Sequence, residues 1–296
     1  MRKSFRNLLA VLLAGIMILQ PFSVLAEENT RDVRVRRQGT LELIQRGSQV
    51  YTETDSGTGQ RLSGISENET ERVKELLYAG LDSLQPEIDV SEYELTPDEF
   101  QQILQAVLNT SPELFYVGKG YSYTIFYADT DLFEEKQRVF SYYPEYEKSG
   151  DSLSEDEIEN MRAELNRAAT KVLSKVNPEW SDREKALFIH DHLAAQCEYD
   201  TRDPQSDTDP CQYDMYSLLV EGRAVCEGYS LTFLYFMKQL GIPCAVMPSD
   251  PMRHMWNQVQ LDGEWYHVDV TWDDALNVLE LDMPGKVNHS HFLLSD

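Results

Sequence analysis

After residue 26 the chain has no apolar run long enough to cross a bilayer. It also lacks a phosphate loop, a dinucleotide fingerprint, zinc-ligand spacing and any internal repeat. No cofactor and no metal is therefore expected. Basic residues are in short supply: 26 Lys and Arg stand against 51 Asp and Glu, a formal net charge of −25. That balance argues against nucleic acid and anionic membrane as partners. It suits solubility and a cationic substrate such as a lysine-rich acceptor, although an acidic solvated surface with no partner meaning is the simpler account. Cysteine is scarce too, with Cys197, Cys211, Cys226 and Cys244. Four permit two disulfides in a secreted chain. Cys197 and Cys211 flank a loop rich in Asp, Pro and Thr and could staple it. Cys244 lies in an apolar strand, Ile242–Met247, and is expected in the core.

Residues 1–26 read as a signal peptide. Arg2, Lys3 and Arg6 precede an apolar core from Leu8 to Leu19, and Val24-Leu-Ala26 is a small-residue cleavage pattern. An uncleaved anchor is the alternative. The expected location is secreted or at the cell surface, with no membrane contact beyond the leader. Residues 27–66 show little periodicity and are expected as a linker or weakly ordered tail, with a small basic cluster at Arg34-Val-Arg-Arg37.

Four capping boxes announce helices. Ser66-Glu-Asn-Glu69 opens one to about Leu84, and Thr96-Pro-Asp-Glu99 opens another to about Leu108. Ser154-Glu-Asp-Glu157 and Ser181-Asp-Arg-Glu184 open the next two, to about Lys175 and Ala195. Between the pairs, Tyr121–Ala128 and Arg138–Tyr146 read as strands. The aromatic residues Phe115, Tyr116, Tyr121, Tyr123, Phe126 and Tyr127 are expected to build a core rather than a ligand-stacking surface. Residues 67–150 thus read as an α+β N-terminal region, and 151–296 as a second, catalytic domain. His190 and His192, two apart on the fourth helix, face different ways and make no helical metal pair. His289 and His291 are likewise weak as ligands.

The chemistry centres on Gly222-Arg-Ala-Val-Cys-Glu-Gly-Tyr-Ser230. Cys226 heads an apolar helical run that Gly241-Ile-Pro243 ends. A thiol in the first turn feels the positive end of the helix dipole, which favours thiolate. Beyond it, Arg253–Leu261 and Glu264–Trp272 flank Asp262-Gly263, the signal of a two-residue hairpin. That turn sets Leu261 opposite Glu264, Val259 opposite Tyr266, Trp256 opposite Asp269 and His254 opposite Thr271. His254, Trp256 and Gln258 then share a face with His267 and Asp269. His254 and Asp269 are expected diagonally, about 7–8 Å apart at the backbone and within side-chain reach. Nucleophile, base and orienter are then all present.

The segment from about Tyr213 to Trp272 resembles the transglutaminase-like superfamily, whose core is papain-like. The matching pieces are Gly222-Arg-Ala-Val-Cys-Glu-Gly-Tyr, Gly241-Ile-Pro, His254-Met-Trp-Asn and Trp265-Tyr-His-Val-Asp-Val-Thr-Trp-Asp273. Ile189-His-Asp-His-Leu, Glu198-Tyr-Asp200 and His291-Phe-Leu-Leu-Ser-Asp296 are similar to the bacterial secreted branch. The resemblance implies an α+β fold with a helix-borne Cys on an antiparallel sheet, and Cys226, His254 and Asp269 as a catalytic triad. It also implies acyl transfer on peptide or protein amides, ending in cross-linking, deamidation or proteolysis. Animal transglutaminases carry Gln before and Trp after the nucleophile; Val225 and Glu227 stand there here. Trp256 and Trp272 are candidate cleft walls, and Tyr199 or Tyr213 a candidate hydroxyl for the site. The expected partner is a peptide or protein substrate. A catalytically silent binding module on the same fold is the alternative.

Overall fold

The computed structural model describes residues 35–40, 65–127, 137–202, 212–249, 251–276 and 282–295. The leader falls outside them. No helix among the described residues is long and apolar enough to cross a membrane.

All four capping boxes form. The hydroxyls of Ser66, Thr96, Ser154 and Ser181 accept from the backbone three residues on, and Glu69, Glu99, Glu157 and Glu184 accept from the cap backbone in return. Each exchange satisfies amide groups that a helix start otherwise leaves open. The helices they start are α1 (Glu67–Asp82), α2 (Pro97–Thr110), α3 (Glu155–Leu173) and α4 (Asp182–Gln196).

Helices α1 and α2 pack on an antiparallel sheet. Its central strands are β3 (Val117–Tyr127) and β4 (Gln137–Lys148). Strand β2 (Ile88–Asp89) pairs with β4, and β5 (Asp151–Ser152) continues β4 through a tight turn. Val73, Leu77, Phe100, Leu104, Tyr116 and Tyr142 are buried between the layers. Phe100 and Tyr142 meet at 5.3 Å between ring centroids. The described rings of the aromatic segment do pack as core: Tyr116 and Tyr121 are buried, with Phe115 and Tyr123 packed against them. The side chains of Phe126 and Tyr127 lie outside the described residues.

The expectation of a linker over 27–66 needs correction. Val35–Thr40 is a strand, β1, paired antiparallel with β3 from Val35↔Ile125 to Thr40↔Gly120. The second half of the basic cluster therefore belongs to a sheet edge.

The second core gathers α3, α4 and α5 (Cys226–Gln239) around an antiparallel sheet of order β13-β10-β9-β8. These strands are β8 (Cys244–Ser249), β9 (His254–Leu261), β10 (Glu264–Val268) and β13 (Phe292–Leu294). Ile189, Leu193, Tyr229, Phe233, Phe236, Val259 and Val268 are buried where helices meet sheet. The fold is α+β, with the helix that begins at Cys226 lying on an antiparallel sheet. From Val33 onward the chain forms one compact unit. The two cores meet around Lys148, whose ammonium donates to Gln212 Oε1, Asp214 Oδ2 and Ser217 Oγ at 3.2, 3.1 and 2.5 Å. Phe115 stacks on Tyr216 beside it, at 5.1 Å.

Two other expectations change. The strand from Glu264 was read through to Trp272, but β10 stops at Val268 and Val270–Asp273 is a helical turn, α6. Asp269 turns the chain by capping that helix: its Oδ1 accepts the Trp272 N–H at 3.1 Å. A good N-cap carboxylate outweighs the strand preference of Val270 and Thr271. Cys244 is only half-buried, although burial of its sulfur pushes the thiol up. The Cys197–Cys211 staple involves Cys211, which lies outside the described residues; Cys197 is buried in the second core.

Candidate active site

The approach to Cys226 is built by short backbone exchanges. Ser217–Glu221 is a wide helical turn that Gly222 ends in a left-handed conformation, φ 81°. Arg223–Ala224 (β7) then pairs in parallel with Glu198–Tyr199 (β6). The Val225 N–H donates to the Gln212 carbonyl at 2.8 Å. Helix α5 starts at the next residue, with no side-chain cap from Val225. Cys226 thus stands in the first turn of the helix. Gly228 makes this entry possible. A Cβ there would lie 2.4 Å from the Ala224 Cβ and 3.1 Å from the Asp214 carbonyl oxygen.

The sheet is fastened to the helix by two residues. Ser230 Oγ donates to the Met255 carbonyl at 2.9 Å. Asn257 Nδ2 donates to the carbonyls of Ser230, at 3.0 Å, and Ala245, at 3.3 Å. Asn257 lies in a stretch that carries the resemblance and Ser230 directly follows one, but their clamping role needs the helix and strands in contact, and no local pattern announces it.

On the sheet, Asp262 and Gly263 take positive φ of 55° and 87°, the two-residue turn that Asp-Gly favours. The pairs Leu261↔Glu264, Val259↔Tyr266 and Gln258↔His267 follow as the turn predicts, and pairing ends at Asn257↔Val268. Because the chain leaves the strand at Asp269, its carboxylate reaches His254 directly, with Nε2 and Oδ2 2.6 Å apart. Cys226 also acts on the imidazole and favours its charged form. Cys226 is 4% exposed, and His254 and Asp269 are each 6% exposed. Burial alone would lower the His254 pKa. The bonds to Asp269 and Cys226 outweigh it and raise the value to about 9.

Every polar group of Asp269 has a partner. Its N–H donates to the His291 carbonyl at 3.0 Å, and its own carbonyl accepts from the Asp273 N–H at 3.2 Å. The two carboxylate oxygens serve Trp272 and His254.

The predicted cleft residues divide. Trp272 is 47% exposed and lies face to face with His254, centroids 4.6 Å apart and planes 8° apart. Trp256 is half-buried; its ring is 6.1 Å from His254, and its Nε1 donates to His267 Nδ1 at 2.8 Å. Trp256 is thus occupied within the sheet, while Trp272 borders the solvent side. The backbones of Tyr199 and Tyr213 come to the strand that leads into Cys226: Tyr199 pairs with Ala224, and Tyr213 follows Gln212. His192 is held elsewhere, stacked on Phe188.

A cysteine at a helix start, facing a histidine and an aspartate on adjoining elements of an antiparallel sheet, is the arrangement of papain-like α+β proteins. Residues 167–270 match the family model described as the transglutaminase-like superfamily. It is 26% identical over 130 residues to the kyphoscoliosis peptidase of Mus musculus, covering 39% of this chain and 19% of that protein. The chain therefore spans about a fifth of that curated relative. Among solved structures it is similar to one described as a TGase, at 16% identity and a TM-score of 0.33, over 67% of this chain and 53% of that one. Another, described as a cysteine protease candidate from Cytophaga hutchinsonii, is 16% identical with a TM-score of 0.29, over 56% of this chain and 57% of that one.

Proposed function

We propose that this protein is a secreted, cysteine-dependent acyl-transfer enzyme acting on peptide or protein amides. The observation that carries the reading is the buried His254–Asp269 bond at 2.6 Å, on an imidazole that Cys226 also influences. In the proposed cycle the Cys226 thiolate attacks the amide carbonyl carbon, and the carbonyl oxygen takes the charge. The first-turn amide groups of α5 are the nearest donors to that oxygen by chain geometry. The carbon–nitrogen bond then breaks, His254 gives its proton to the leaving amine, and a thioester remains. Water or an amine loses a proton to His254 and attacks the thioester. The carbon–sulfur bond breaks and the thiolate returns. Asp269 holds the imidazole throughout.

Hydrolysis is the better-supported outcome. Val225 and Glu227 depart from the Gln and Trp that flank the nucleophile in animal transglutaminases. The mouse relative is named a peptidase. Secretion is supported by the leader pattern at residues 1–26.

The test has two parts. Iodoacetamide labelling of the chain from residue 27 across pH, read at each Cys by mass spectrometry, should show Cys226 reacting fast at pH 6 and losing that rate in His254→Ala. A peptide library with amide side chains should then yield new termini or deamidated Gln, and little incorporation of a labelled amine. Amine incorporation as the main product would make the protein a cross-linker. An ordinary Cys226 titration near pH 8.5, with no product of any kind, would leave a binding module on this fold.

A further inference from the structure

Behind Asp269 lies a second buried cluster. His190, on α4, is fully buried. Its Nδ1 is 3.0 Å from Asp191 Oδ1, and its Nε2 is 3.2 Å from Asp273 Oδ2. Asp273 is fully buried as well. Two carboxylates facing the two ring nitrogens favour a ring in which both nitrogens donate. Burial opposes the charge, but the bonds to Asp191 and Asp273 raise the His190 pKa above its ordinary value.

His289 Nε2 also lies 2.7 Å from Asp191 Oδ1, so two histidines and an aspartate converge. Ligands that share one zinc at roughly 2.0–2.2 Å stand about 3.3–3.5 Å apart. Separations of 2.7 and 3.0 Å are those of hydrogen bonds, which clasp the three side chains together.

The clasp is joined to the candidate active site through one peptide unit. Both oxygens of Asp273 accept the His291 N–H, at 3.0 and 3.1 Å, and Oδ1 also meets His291 Nδ1 at 3.2 Å. The carbonyl of the same His291 accepts the Asp269 N–H. The Asp273 N–H closes the circuit on the Asp269 carbonyl. Three of the four bonds that orient Asp269 therefore run to α6 or to His291, and the His190–Asp273 pair ties these two segments to α4.

We propose that Asp273 is a positioning residue: clasped by His190, it holds the His291 main chain against Asp269, and so sets the carboxylate that orients His254. The proposal rests on reading Cys226, His254 and Asp269 as the working site. Asp273 touches neither substrate nor the reacting atoms. It acts through Asp269.

The experiment is the pH profile of Cys226 alkylation by iodoacetamide, with thermal unfolding followed in parallel. It uses the chain from residue 27 and its Asp273→Asn, His190→Phe and His190→Gln variants. Asp273→Asn should move the profile up by about one pH unit, a roughly tenfold loss of rate at pH 6. His190→Phe, which removes the α4 ring from Asp273 Oδ2, should move it the same way. His190→Gln places an amide N–H near the Nε2 position and should restore most of the rate. If Asp273→Asn does not fold, the comparison of Phe with Gln at position 190 decides. Variant profiles that overlay the wild type, whatever their unfolding temperatures, overturn the proposal. A wild-type chain whose Cys226 titrates as an ordinary thiol instead overturns the active-site reading on which it rests, so the two failures are distinct.

Discussion

The indole of Trp272 covers one face of the His254 imidazole, 4.6 Å between centroids and 8° from parallel, while nearly half of the residue remains open to solvent. A cationic imidazole against an indole face gains cation–π attraction. The ring also keeps water from that face of the imidazole. Trp272→Ala should therefore weaken the charged form of His254 and shift Cys226 alkylation to higher pH. Trp272→Phe should shift it less. Equal profiles for Ala and wild type would show that the stack serves packing alone.

His254 should write itself into the pH dependence of stability. Its folded pKa, about 9, lies above the ordinary 6.5. A raised value contributes stability that is full below about pH 6.5 and is lost as pH climbs through 9. At most about 3–4 kcal/mol is at stake, from roughly 1.4 kcal/mol per unit. Unfolding free energy from denaturant titrations at pH 6 and pH 9.5 should differ in that direction. In His254→Gln the difference should shrink.

His254 and Asp269 should act as a unit. If the 2.6 Å bond couples them, Asp269→Ala with His254→Ala together should slow Cys226 alkylation at pH 6 little more than His254→Ala alone. Losses that add fully would break the proposed coupling.

Gly228 has no room for a methyl group. The Ala224 Cβ at 2.4 Å and the Asp214 carbonyl at 3.1 Å would both have to move. Gly228→Ala should cost about 1–3 kcal/mol of stability and should slow alkylation as well, because the displaced strand leads straight into Cys226. A variant as stable and as reactive as wild type would refute the close approach.

Asn257→Leu should separate helix from sheet. It leaves the buried Ser230 and Ala245 carbonyls without their amide donor, at about 1–3 kcal/mol. Chemical denaturation should register that loss, and faster amide exchange at the start of α5 should accompany it.

Much of this architecture is written locally. Ser66, Thr96, Ser154 and Ser181 cap helices with groups three residues away, so short windows reveal them. Asp262-Gly263 fixes a register for the same reason, and with it the shared face of His254, Trp256, Gln258 and His267. What the sequence conceals depends on partners far along the chain. Strand β1 exists because β3 offers an edge more than 80 residues later. The end of β10 was misread because Val270, Thr271 and Trp272 favour strands, whereas the Asp269 cap and the His291 carbonyl decide the turn. The pairing of His190 with Asp273 spans 83 residues and has no periodic trace.

The two-residue turn at Asp262-Gly263 has a further consequence, as an indexing device. Side chains alternate along a strand, so one residue added or removed between Leu261 and Glu264 would send one strand's residues to the opposite side of the sheet. His254 and Asp269 would part company although neither had changed. Lengthening the loop in a way that keeps the pairing would leave them in place. The hairpin tip, well away from the thiol in sequence, therefore has an exacting length tolerance, beside the Asp-Gly preference that its two positive φ angles impose.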